Sequence, residues 1–462
     1  MREKTSVSQL FYRILKVLFS YKTSMLYLGI FAIAVAVATF IENDFTTRAA
    51  REVVYDATWF EILLLLVAIS IVWNIFDRNI NPRQTFTVFI FHISFIIVLL
   101  GAGMTRYFSE EGIMHIREGQ ATDRYITLDA YMDIEVASSG DTVRSEEQVT
   151  FSTFSEGQYD KTIKTDNQDI HFQSTRFVPS AGLYTTPAPN GQPVLELMMV
   201  IDGQSSTEFF NHREVKSIGS FTVSFDDTLA DADLFIMRKG GKLRFKSPHQ
   251  VKMVNKDSWS EEAMEKGKSQ KKKKKRLYKI GDTQFVLKKY LEKGQIHAEK
   301  SDSDEKIADA LFMKISSKDE TLDVLLLGGP RTTGQPATLH LNGIKTTIRY
   351  GSKTKHLPFS LELKDFIMKR YPATNSPSSF RSELTLIDNK KDIRRPVSIF
   401  MNNILYHRGY RFYQTSYDKD EKGTFLTVNR DVPGTQITYV GYLLVVLGMF
   451  SSLFNKKSRF VK

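Results

Sequence analysis

Of the nine histidines in this 462-residue chain, His92 stands inside an apolar run, residues 86–104, FTVFIFHISFIIVLLGAGM. An ionisable side chain at membrane depth is costly, so one that is kept lines a pathway, pairs with a partner or holds a cofactor. Two chemistries fit it equally well from position alone. A neutral imidazole ligates haem iron, and a histidine also serves as a hydrogen-bonding group between packed helices. The other eight, His115, His171, His212, His249, His297, His340, His356 and His407, lie outside the long apolar runs. One copy of the chain therefore cannot offer two membrane histidines to one iron, and a second axial ligand would have to come from another chain.

Other reactive groupings are absent from the sequence. His115, His356 and His407 fall in strand-like segments and read as sheet histidines rather than ligands. No HExxH, CxxC or GxSxG motif and no glycine-rich phosphate loop occurs. With no cysteine at all, the chain can neither exchange thiols nor form a thioether, and any domain in an oxidising compartment folds without disulfides. The formal charge of +11 comes largely from basic flanks of apolar segments and from the run 266–276, KGKSQKKKKKR. That run has no interleaved aromatic or base-reading residues, so it reads as a solvated loop and nucleic acid is not expected as a partner.

The elements that must position His92 are membrane spans. Apolar stretches at 25–41, 59–76, 86–104 and 436–454 are each about 17 to 20 residues long, enough to cross a hydrocarbon core of roughly 30 Å. Orientation follows from Lys and Arg in the short flanks. Arg2, Lys4, Arg13, Lys16, Lys22, Arg78, Arg83, Lys456, Lys457, Arg459 and Lys462 fall on one side, against Arg48 and Arg51 in the 42–58 loop. Both termini are thus expected in the cytoplasm and residues 105–434 outside it, with His92 about 9 Å from the cytoplasmic end of its span. The first span is followed by Ile41-Glu42-Asn43-Asp44, not by a small-residue cleavage site. Residues 10–19, LFYRILKVLF, place Arg13 and Lys16 together among apolar neighbours and predict an interfacial helix.

Between the third and fourth spans the period shortens to that of strands, as in YITLDAYMDIEV at 125–136. The expected fold class is an α-helical membrane bundle of four spans with a large, mainly-β, sandwich-like extracytoplasmic domain inserted between spans three and four. Its expected divisions are a cytoplasmic N-terminal segment, 1–24; three spans within 25–104; the β domain, 105–434; the fourth span, 435–454; and a cytoplasmic tail, 455–462. The lysine-rich run would split the β domain into halves at 105–255 and 277–434. Trp59 and Trp73 bracket the second span as interfacial aromatics, and Trp259 is isolated. Gly29, Ala32 and Ala36 on the first span, and Gly441 and Gly448 on the fourth, mark faces for close helix approach, the latter open to a partner subunit. A hairpin over 405–428 leads through an expected Pro433-Gly434 turn into the fourth span.

These features together resemble the ResB family (ResB/CcsB), the membrane component of System II cytochrome c biogenesis. At the front the resemblance rests on ATFIEND at 38–44, Trp59-Phe60-Glu61, Phe91-His92, GAGMTR at 101–106 and GIMHIREG at 112–119. At the back it rests on LPFS at 357–360, YPATNSPSS at 371–379 and GYRFYQTSY at 409–417. The resemblance implies a multi-pass protein of the bacterial cytoplasmic membrane that works with a CcsA/ResC-type partner. The pair would move haem b across the lipid bilayer and attach it covalently to apocytochrome c, as a haem lyase complex in which this chain is not catalytic alone. It further implies that His92 is an axial ligand of the haem iron, with the opposite ligand, the tryptophan-rich loop and the outer histidines supplied by the partner. The chain ends eight residues after its last span, so the partner half is expected on a separate chain. The alternative is a non-catalytic membrane scaffold whose β domain docks a partner while His92 packs.

Overall fold

The computed structural model describes residues 7–454 except 79, 81–85, 139–140, 155–157, 166–167, 202, 230, 240–241, 255–260, 265–266, 268–269, 272–275, 302–307, 319 and 373. The flank charges Arg2, Lys4, Arg83, Lys456, Lys457, Arg459 and Lys462, Trp259 and most of the lysine-rich run lie outside the described residues.

Among the described residues six α-helices form: α1 (Val7–Leu18), α2 (Tyr21–Asp44), α3 (Thr47–Ala50), α4 (Thr58–Asp77), α5 (Phe86–Phe108) and α6 (Val432–Phe454), with a π-helical turn, Arg51–Tyr55, after α3. Helices α2, α4, α5 and α6 are long and apolar enough to cross a membrane. Their exposure pattern is inverted relative to a water-soluble helix. Ile33, Leu65, Leu100 and Val440 are each at least half exposed, which is stable where hydrocarbon covers them. The protein is a membrane protein on this evidence. Helix α1 and α2 are separated by Ser20, whose hydroxyl caps α2 by accepting from the Thr23 amide at 3.3 Å.

Contacts divide the chain into two compact units, residues 1–125 with 355–462, and residues 126–354. In the first unit α2 packs on α4, α4 also meets α5, and α5 packs on α6. Ala34 and Ala38 of α2 are buried with Val54 and with Phe60 and Leu63 of α4. Helix α5 lies against α6 at a spacing only glycine allows. A Cβ on Gly101 would fall 2.3 Å from Thr438 Oγ1, and one on Gly441 2.6 Å from Val98 Cγ2. The Gly441 and Gly448 face of the fourth span therefore meets the third span of the same chain. On α2 the small-residue reading is corrected in the other direction: Gly29, Ala32 and Ala36 are exposed and nothing lies within 4 Å of a Cβ at Gly29. The buried row is Ala34 and Ala38, because those positions share a face with Tyr27, Phe31 and Ile41.

The sheet of this unit pairs Glu110–Arg117 with Gly423–Arg430, and the latter with Tyr410–Tyr417, all antiparallel. Pro377–Asp388 pairs between residues 360–370 and Ile393–Phe400. Alternating residues of both groups, among them Met114, Leu361, Leu386, Phe412 and Leu426, meet in one core. The expected Pro433-Gly434 turn is instead the first turn of α6, where proline's missing N–H costs nothing. Asp431, just before it, accepts from Thr435 Oγ1 (3.0 Å) and from Thr105 Oγ1 of α5 (2.7 Å). A carboxylate at that place also complements the helix dipole.

Among its described residues the regular structure of the second unit is all strand. A six-stranded sheet runs Glu261–Ala263, Val251–Val254, Leu277–Ile280, Thr283–Lys300, Ala181–Ile201, Gln204–Phe210, and a four-stranded one Glu320–Gly328, Asp309–Ser317, Asp169–Val178, Asp160–Lys164. The strands flanking the lysine-rich run, Val251–Val254 and Leu277–Ile280, pair with each other, and Gln270–Lys271 of the run itself pairs with the strand Lys242–Lys246. The run thus lies within one unit. A large mainly-β region between the third and fourth apolar helices is the outcome.

Candidate functional site

His92 sits in the second turn of α5, and its Nδ1 is 2.8 Å from the carbonyl oxygen of Val88, one turn back on the same helix. A carbonyl only accepts, so Nδ1 carries the proton and donates. In that tautomer Nε2 keeps its lone pair, one of the two ring atoms through which an imidazole can bind a metal. The helix itself therefore sets the tautomer of the imidazole.

The ring borders a cavity of about 460 Å³ between α2, α4 and α5, within the size range of small-molecule and cofactor sites. Met25, Leu28, Val67, Ile71 and Val88 make its apolar wall. Its polar side includes Ser24 and Tyr21 of α2 and a row of Ser70 and Asn74 on α4 with Arg78 just after its end, each of the three four residues from the next and so on one helical face. Asn74 is buried and spends its amide donors on Ser70 O (2.7 Å), Ser24 Oγ (3.0 Å) and Phe19 O (3.1 Å). One side chain thereby ties the end of α1, the start of α2 and the middle of α4 into a fixed corner. The Arg78 guanidinium lies 4.4 Å above the Tyr21 ring centroid, a cation–π placement. Ser70 Oγ is buried and, among the described residues, has no hydrogen-bond partner. An imidazole with a free Nε2, an apolar wall and a cation together suit one axial face of a haem and its charged edge.

At the opposite ends of these helices the front motif residues converge. Arg106 donates to Tyr55 O and to Glu61 Oε1, the latter at 2.5 Å, and lies 3.9 Å from Asp56. Tyr107 donates its hydroxyl to the same Glu61 oxygen at 3.1 Å, and Trp59 Nε1 donates to Val53 O at 3.0 Å. Ala38 is fully buried beneath this cluster with Ala50, Val54 and Phe60. This latch joins Glu61 of Trp-Phe-Glu to Arg106 of GAGMTR, with Ala38 of ATFIEND packed in the same core. Trp73, by contrast, packs its ring against Tyr12 of α1 and against Phe19.

His115, His356 and His407 each meet an aspartate of their own unit. His115 Nε2 is 2.9 Å from Asp418 Oδ2, with its ring stacked on Phe425 at 4.3 Å. His356 Nδ1 is 3.0 Å from Asp123 Oδ2. His407 Nε2 is 2.7 Å from Asp388 Oδ2, and Arg408 holds both oxygens of that carboxylate at 2.6 and 2.8 Å. Arg408 first, then His407, holds the Asp388 carboxyl down to about 2. No three His, Asp or Glu side chains among the described residues are grouped to hold a metal ion. The sequence reading placed His92 but missed its companions. Ser70, Asn74 and Arg78 at four-residue spacing along an apolar span were the signal available.

Residues 334–431 match the ResB-like family. Protein NrfI of Wolinella succinogenes is 30% identical over 445 residues, 96% of this chain and 36% of NrfI. The chain thus spans about a third of the length of the relative it matches. The family match covers the back motifs and stops at Asp431, the residue just before α6.

Proposed function

With residues 334–431 belonging to the ResB-like family and nearly the whole chain aligned with NrfI, we propose that this protein acts in cytochrome c maturation. It is a membrane subunit that receives haem b between its spans and, with a CcsA/ResC-type membrane partner, delivers it for covalent attachment to apocytochrome c. The observation that carries the reading is His92, with Nδ1–H committed to Val88 O and Nε2 left to ligate beside an apolar cavity. In this account His92 holds one axial position of the cargo's iron and the partner holds the other. The Asn74 corner fixes the cavity wall, while Met25, Leu28, Val67 and Ile71 keep water from the porphyrin face. Orientation follows from the basic flanks, with both termini in the cytoplasm and the β region outside, where apocytochrome is met.

The test is a strain lacking the native gene, complemented with the wild type or with His92→Ala and assayed for covalent haem in its c-type cytochromes by haem staining. We expect His92→Ala to mature less than about a tenth of the wild-type amount while reaching the membrane at wild-type level, as removal of an axial ligand predicts. Undiminished maturation would favour the scaffold reading.

A further inference from the structure

The row Ser70, Asn74, Arg78 gives the cavity beside His92 two chemically distinct ends, and the second has no role in ligating a metal. Arg78 is turned over the Tyr21 ring at the cavity margin, and among the described residues no carboxylate lies within ion-pair distance of it. Asn74 has no donor to spare, whereas Ser70 Oγ, 1% exposed, is unpartnered on the same wall. A buried hydroxyl without a partner carries a desolvation penalty that a polar ligand atom reaching it relieves. A fixed guanidinium and an unspent hydroxyl on one helical face are donors without an acceptor. Carboxylate is an acceptor that a planar guanidinium meets with two parallel hydrogen bonds.

Resting on the haem reading above, we propose that Arg78 is the carboxylate-binding residue of this cavity, pairing with a propionate of the haem whose iron faces His92. The ligand is thereby oriented, with its acidic edge toward the α4 end that carries Arg78. A phospholipid phosphate is the other anion available at such a depth, and the experiment separates the two.

The full chain, purified with its membrane partner, is titrated with haem b and with haem b dimethyl ester, in which both carboxylates are blocked. Wild type should prefer the free acid by about 10-fold or more, the value of one charge-assisted pair. Arg78→Gln should bring that ratio close to one, and Arg78→Lys, which keeps the charge but not the fork, should fall between. Equal binding of acid and ester by the wild type, or an unchanged ratio in Arg78→Gln, overturns the proposal. So does an equal loss for both ligands, the signature of a lipid headgroup on Arg78. The parent reading fails separately, if His92→Ala leaves the iron's ligation spectrum unchanged, because the acid-to-ester ratio does not depend on which residue ligates the iron.

Discussion

At the scale of single residues, what distinguishes His92 from His115, His356 and His407 is the type of its partner. His115, His356 and His407 face carboxylates, which hold a proton on the ring nitrogen and tie it into the sheet. His92 faces a carbonyl, which fixes the tautomer and leaves the second nitrogen open. The Asp388 carboxylate, fully buried between His407 and Arg408, shows the structural use of the same side chain. Its folded-state pKa of about 2 lies below the usual 3.8. A depressed carboxylate stabilises the fold above its unfolded value, and that contribution is lost as pH falls through the folded one. Thermal melts should therefore lose stability between about pH 4 and pH 2 in the wild type. Asp388→Asn should melt lower at pH 7 and lose that acid-dependent component; an acid slope identical to the wild type's would show that the pair does not contribute. None of this pairing was legible in the sequence, since His407 and Asp388 are nineteen positions apart on strands whose register only the fold defines.

At the scale of elements, the spans and many strands were readable because hydropathy and period are local properties. Their contact faces were less so. The fourth span's glycines were found, but their partner is the third span rather than another subunit. The first span's Gly29 face was chosen over Ala34 and Ala38, because small residues mark close approach without saying which of two faces is used. The polar row on α4 escaped notice because two uncharged polar residues barely change the mean hydropathy of a span. Packing makes a paired prediction. Gly441→Leu forces a side chain into Val98 and should cost about 1–3 kcal/mol of stability. Gly29→Leu enters open space and should change stability by no more than about 0.5 kcal/mol. Unfolding of both variants in detergent measures the difference, and equal effects would contradict the α5–α6 packing.

At the scale of the whole molecule, the sequence showed that a mainly-β region interrupts a set of apolar helices, and the structure agrees. The division after Tyr125 and after Thr354 was not legible, because residues 121–138 and 344–370 are each written as one long strand with no break in composition. The proposed orientation is open to direct test because the chain has no cysteine, so each introduced thiol is the sole target of a maleimide. In intact cells or right-side-out vesicles, Arg48→Cys should react with a membrane-impermeant reagent. Lys16→Cys should react only after permeabilisation. The reverse pattern would place the β region in the cytoplasm and end the apocytochrome reading.

Ligation of haem iron by His92 Nε2 is tested most directly by the absorption spectrum of the chain co-purified with the proposed CcsA/ResC-type partner. The account predicts that the wild-type complex carries haem b with a two-ligand, low-spin spectrum. His92→Ala should lose most of that haem or shift it to high spin, with added imidazole restoring the low-spin form. A His92→Ala complex with wild-type haem content and an unchanged low-spin spectrum would contradict it.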